Sequence, residues 1–137
     1  EASDINLATF KDIFKKHPKV KIKPLLMNQK VISGIGNIYS DEILFAAKIN
    51  PLRRAGTLNS QEIRQIHQNI RKILAKAIKL RGTTARDYLD IYGRTGDYSS
   101  HLKVYGKTGK KCYRCQGLIK RVKIGGRSAH FCPSCQL

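Results

Sequence analysis

Carboxylates are the scarce residues of this sequence. Nine Asp and Glu stand against 27 Lys and Arg, a formal charge of +18 over 137 residues, and none follows Asp97. A field that positive favours a polyanionic partner. A merely soluble basic protein and a binder of acidic membrane surfaces are the competing readings. Long apolar runs are also missing. None approaches the roughly 18 residues of a membrane span, so no membrane insertion is expected. No basic region leading into an apolar stretch opens the chain, so no secretory signal is expected. Internal repeats and low-complexity tracts are absent. The length fits one ordinary domain, or a helical domain with a small appended module.

Cysteine is rare and confined to one place. Its four copies form two pairs, Cys112-x-x-Cys115 and Cys132-x-x-Cys135, with sixteen residues between the pairs. Two such pairs, each on a tight knuckle, deliver four sulfurs tetrahedrally to one zinc ion. Two disulfides, an iron–sulfur centre and a redox dithiol are the rivals. Disulfides need an oxidising compartment, and redox motifs usually use one pair. The expectation is a single structural Zn²⁺ held by Cys112, Cys115, Cys132 and Cys135, with no open position for catalysis. Between the pairs, Leu118, Ile119, Val122 and Ile124 precede Gly125-Gly126, and Ala129 and Phe131 follow. That pattern predicts a β-hairpin turning at the two glycines, with Arg127 at or just past its tip. A guanidinium there can meet phosphate bidentately; a solvated arginine is the plainer reading. Nine Lys and Arg occupy residues 98–137 without one carboxylate, as expected of a module that meets phosphate.

The rest of the sequence reads as helical. Ile5, Leu7, Phe10, Ile13 and Phe14 predict a helix within residues 4–16, ended by His17-Pro18. In "KVKIKP", Lys19, Lys21 and Lys23 alternate with Val20 and Ile22, and a short helix is expected after Pro24. A further helix follows "SGIGN" and closes near Asn50-Pro51. Asn59 and Glu62 form a capping box. Behind it Ile63, Ile66, Ile70, Ile73, Leu74, Ala77 and Ile78 make a sustained apolar stripe to about Arg81, with Gly82 suited to end it.

The segment "SGIGNIYSDE" (33–42) resembles a phosphate cradle, but a dinucleotide fingerprint needs a third glycine where Tyr39 stands, and no P-loop lysine follows. It reads instead as a turn between helices. Gly34 or Gly36 can take a positive φ, and the next helix presents free N–H groups. Asn37 either caps that helix or offers its amide to a phosphate.

Three stretches together, "KIKPLLMNQKVISGIGNIYSDEILFAAKINP" (21–51), "GTTARDYLDIYGRTGDYSSHLKVYGKTGKKCYRC" (82–115) and "GGRSAHFCPSCQ" (125–136), resemble the formamidopyrimidine-DNA glycosylase family. The resemblance covers nearly the whole chain, in order. It implies a mainly α fold, a helix–two-turn–helix domain (1–82), a loop-rich linker (83–106) and a four-cysteine zinc hairpin (107–137). It implies that Asn37 and Arg127 clamp phosphates beside a lesion, that Arg127 also serves δ-elimination, and that Lys23, with Lys19 or Lys21, touches DNA. Residues 83–98 match a loop that covers an everted oxidised purine. The partner implied is duplex DNA carrying an oxidised purine or an abasic site, in base excision repair within the bacterial cytoplasm and nucleoid, with the protein a monomer. The family's nucleophile is an N-terminal proline on a separate catalytic domain, whereas this chain starts "EASD". The expectation is therefore the C-terminal half of a glycosylase/AP lyase, able to bind DNA alone but not to cut it. A zinc-ribbon RNA- or ribosome-binding protein is the alternative, and a zinc-ribbon protein-interaction module is a third reading.

Overall fold

The computed structural model describes residues 4–81 and 101–137. The expectations for Gly82 and for residues 83–98, and most of the linker stretch 83–106, lie outside the described residues. Among those described there are four α-helices, a short 3-10 helix at Ala55–Thr57 and one antiparallel pair of strands. None of these helices is long and apolar enough to cross a membrane.

Helix α1 spans Leu7–Lys16, and Asn6 caps it by accepting the Thr9 N–H at 2.8 Å. Phe10 and Phe14, four residues apart, bury one face. Lys15 and Lys16 complement the dipole in the last turn before His17-Pro18 ends the helix. Helix α2 spans Ile22–Met27. It begins two residues before Pro24 and not after it. The cause is that proline is tolerated anywhere in a first turn, where backbone N–H groups have no intrahelical partner. The alternating lysines ahead of it make a short extended contact. Lys21 bridges Arg54, and the Ile22 N–H donates to Arg53 O at 2.7 Å.

Helix α3, Asn37–Ala47, is the centre of the molecule, with residues 39–45 and Ala47 all buried. It closes at Lys48, earlier than Asn50-Pro51. Lys48 takes a left-handed φ of 64°, and the Ile49 N–H returns to Leu44 O at 3.0 Å, satisfying the helix end. Helix α4, Ser60–Arg81, follows the capping box as expected. The Asn59 N–H donates to Glu62 Oε1 at 2.9 Å, and the Glu62 N–H to Asn59 Oδ1 at 2.8 Å. Its apolar stripe, with Ile63, Ile66 and Ile70, packs with Phe10, Phe14, Leu25, Leu26, Ile43 and Leu44 in the main core.

Strands β1 (Lys120–Ile124) and β2 (Arg127–Phe131) pair in register from Lys120↔Phe131 to Ile124↔Arg127. Gly125 and Gly126 form the two-residue turn, with φ of +60° and +81°, as a type I′ hairpin requires. A second, smaller core joins Val104, Ile119, Cys112 and Cys132 to Phe45, a residue of α3. The same helix therefore serves both cores.

Candidate nucleic-acid interface and metal centre

The four cysteines converge as their spacing predicts. Their Sγ atoms all lie within 4.8 Å of one another. Cys112 and Cys135 are 3.8 Å apart and Cys115 and Cys132 are 3.4 Å apart, with no disulfide among them. A tetrahedral Zn–S bond of about 2.3 Å gives sulfur–sulfur edges of about 3.8 Å, so the donor set fits zinc. Each pair sits on a turn: the Gln116 N–H reaches Cys112 O, and the Gln136 N–H reaches Cys132 O. Gly117 permits the two turns to close, because a Cβ there would lie 2.8 Å from Ser134 Oγ and 3.3 Å from Cys132 Sγ. Burial pushes the metal-free Cys135 thiol up to about 12. Burial also acts to raise Cys132, but hydrogen bonds from Cys115 and from backbone N–H groups outweigh it and bring this thiol down to about 7. The four cysteines form a structural zinc site with all four positions filled by protein.

Two adjacent carboxylates in α3 tie the zinc module to the helices. Glu42 accepts the backbone N–H groups of Lys103, Val104 and Tyr105 at 2.7, 3.0 and 2.9 Å. Burial raises its pKa, and those three donors pull against the rise. Asp41, 1% exposed, accepts the Lys23 ammonium at 2.6 Å, and from His130 both the backbone N–H at 3.0 Å and Nδ1 at 2.8 Å. Sequence reasoning missed both residues. The available signal was two of only nine carboxylates standing side by side within an apolar helix. Gln136 adds another tie, accepting from Cys132 N at 2.8 Å and donating to Ile49 O at 2.9 Å.

The candidate DNA contacts separate into surface and interior. Arg127 is exposed, at the first position of β2. Lys19 is exposed and Lys21 half-buried. Lys23 is only 1% exposed, and its ammonium donates to Asp41 and, at 2.7 Å, to Ser128 O. Burial lowers its pKa, with Asp41 opposing that effect. The structure places Lys23 inside, because the helix starting at Ile22 turns this side chain under the hairpin. Asn37 does not cap α3: the cap is Gly36, with no side-chain hydrogen bond. The Asn37 Oδ1 is buried without a partner. The glycine turn ahead of it is held by Gln29, which accepts the Gly34 N–H at 3.1 Å and donates to Ile35 O at 3.2 Å. Gly34, at φ +100°, is the turn position that needs glycine.

Comparison with known proteins gives a consistent pattern. The family described as the formamidopyrimidine-DNA glycosylase H2TH domain matches residues 1–88, and the zinc finger found in FPG and IleRS matches residues 109–137. The formamidopyrimidine-DNA glycosylase of Pelotomaculum thermopropionicum is 47% identical over 126 residues, covering 92% of this chain and 45% of its own length. That of Streptococcus mutans is 46% identical over 135 residues, covering 98% and 49%. Two structures of the Lactococcus lactis protein, one with abasic-site DNA and one with FAPY-dG DNA, superpose with TM-scores of 0.82 at 43% and 44% identity. Each covers 96% of this chain and 47% of the other. The chain spans about half the length of the curated relatives it matches.

Proposed function

Because the chain belongs to the formamidopyrimidine-DNA glycosylase family, we propose that its 137 residues are the DNA-gripping part of a bifunctional glycosylase and AP lyase that excises oxidised purines in base excision repair. The observation that carries this reading is the joining of two phosphate-binding candidates. The N-terminus of α3, bearing Asn37, and the hairpin tip, bearing Arg127, are held together through Asp41, Lys23 and β2. Solved relatives of the same fold hold abasic-site and FAPY-dG DNA.

In this reading Asn37 and the N–H groups at the start of α3 take one backbone phosphate, and Arg127 takes a neighbouring one bidentately. Lys19 and Lys21 add charge at the entry to α2. Such contacts fix register on the duplex and carry no sequence information. They hold the DNA bent while the damaged base leaves the stack, at a cost of a few kcal/mol. Arg127 also assists δ-elimination, which expels the phosphate on the 5′ side after base loss and β-elimination on the 3′ side. The whole protein supplies the amine that attacks C1′, forming a Schiff base as the glycosidic bond breaks; none of the described residues is assigned that step. Zinc, when bound, supplies no chemistry beyond holding the hairpin rigid. We assign the protein to the bacterial cytoplasm, acting at the nucleoid as a monomer, with functional units at 1–82, 83–106 and 107–137.

The test is binding of the zinc-loaded chain to a duplex carrying an abasic-site analogue. Tight, strongly salt-dependent binding that exceeds binding to undamaged duplex and to structured RNA is expected. Arg127→Ala should lower the slope of log K against log salt by about 0.9, the loss of one phosphate contact, with zinc content unchanged. Asn37→Ala should weaken binding without lowering helicity, since Asn37 caps nothing. Equal affinity for intact duplex and RNA would overturn the reading in favour of a general basic binder.

A further inference from the structure

Asp41 stands four residues after Asn37, so the two side chains share one face of α3, one turn apart. That face meets β2. Both Asp41 oxygens are used: Oδ1 by Lys23 Nζ at 2.6 Å, Oδ2 by the N–H and Nδ1 of His130 at 3.0 and 2.8 Å. Lys23 passes the contact on to Ser128 O at 2.7 Å. Ser128 and His130 alternate along β2, so their backbone groups lie on the edge turned away from β1. An otherwise free strand edge is thus pinned at two points to one carboxylate and its counter-ion. Two points fix the direction of a strand as well as its position. Arg127 is the residue immediately before the first pinned point.

Charge acts in the same direction. The Lys23 ammonium is close enough to Arg127 for repulsion between them to contribute to the lowered Lys23 pKa. Asp41 neutralises that ammonium, which leaves the Arg127 guanidinium free of an unpaired buried cation behind it.

We propose that Asp41 is a positioning residue for DNA binding, which acts through Lys23 and the free edge of β2 to set the separation between the Asn37 and Arg127 phosphate grips. This rests on the reading that those two residues meet phosphate. Asp41 itself touches no DNA. Two grips on different elements engage one backbone together only if their spacing is fixed beforehand, since a misplacement of about 1 Å is enough to forfeit an oriented contact.

The experiment is a double-mutant cycle on the zinc-loaded 137-residue chain, with Asp41→Asn and Arg127→Ala singly and together. Dissociation constants for the abasic-analogue duplex are measured across salt concentrations, alongside zinc content and melting temperature. Asp41→Asn presents an amide to donors and cannot hold Lys23 and His130 at once. It should weaken binding about tenfold and reduce the salt slope by about 0.9, as Arg127→Ala does. In the Arg127→Ala background it should cost less than about twofold. Additive effects on log Kd would overturn the proposal and leave Asp41 a simple stabiliser. If Asp41→Asn fails to retain zinc, the apolar pair Lys23→Met with Asp41→Leu removes both buried charges together and is taken through the same cycle. A wild-type chain that does not distinguish abasic from intact duplex would remove the functional reading and this proposal with it. Additivity with that discrimination intact removes the proposal alone.

Discussion

Glu62 serves two partners at once. It closes the capping box with Asn59 and pairs with the Arg53 guanidinium, whose Nη2 lies 3.1 Å from its Oε1. The Arg53 hydrogen bonds hold its carboxyl below the ordinary 4.5. A depressed folded pKa means stability that is present above about 4.5 and is lost as pH falls through the lowered value. Glu62→Gln should therefore cost about 1 kcal/mol at neutral pH and flatten the acid limb of a melting-temperature profile. Gly117→Ala should lower zinc affinity, measured by competition with a chromophoric chelator, because its methyl would meet Ser134 Oγ and Cys132 Sγ. At this scale the sequence was informative where chemistry is local. The capping box and the four thiolates depend on spacing alone. The burial of Lys23 was not legible because a lysine among other lysines carries no sign that Asp41, 18 residues later, will pair with it. The role of Gln29 as the staple of the glycine turn was invisible for the same reason.

α3 combines three tasks usually spread over several elements. Its N-terminus carries Asn37, its first two turns carry the carboxylates that anchor residues 103–105 and β2, and Phe45 fills the core of the zinc module. Arg114 lies over that ring at 4.0 Å and donates to Cys135 Sγ at 3.1 Å, so the helix also borders the metal site. The sequence signalled a helix here by its apolar content, but an element buried on nearly all sides has no polar stripe to reveal which residues face what. α4, with one buried face, was legible almost to the residue. The hairpin was legible because two glycines at positive φ leave little alternative to a type I′ turn. Gly126→Ala tests this: nothing lies within 4 Å of its Cβ position, so the cost is backbone strain, about 1–3 kcal/mol. Hairpin stability should fall, and DNA affinity should fall with it because Arg127 is the next residue.

Over the whole molecule, the two cores predict separable responses to metal removal. Chelation should unfold the residues around Cys112, Cys115, Cys132 and Cys135 while far-UV circular dichroism retains the signal of α1 to α4, whose main core contains no cysteine. DNA binding should be lost in the same titration. Acidification should release zinc as the thiolates regain protons. The contacts made by Asp41 and Glu42 also dictate an order of events in folding. Those with residues 103–105 and with His130 join positions 61 to 89 apart in the chain, and such closures cost entropy before any contact returns it. Helices α2 and α3, joined by the Lys23–Asp41 pair over 18 positions, form first and present Glu42 with nothing yet to bind. The zinc hairpin arrives afterwards, as a separately closed unit that docks. A stopped-flow refolding trace should show a fast helical phase and a slower one reported by the hairpin, and Glu42→Gln should retard only the second.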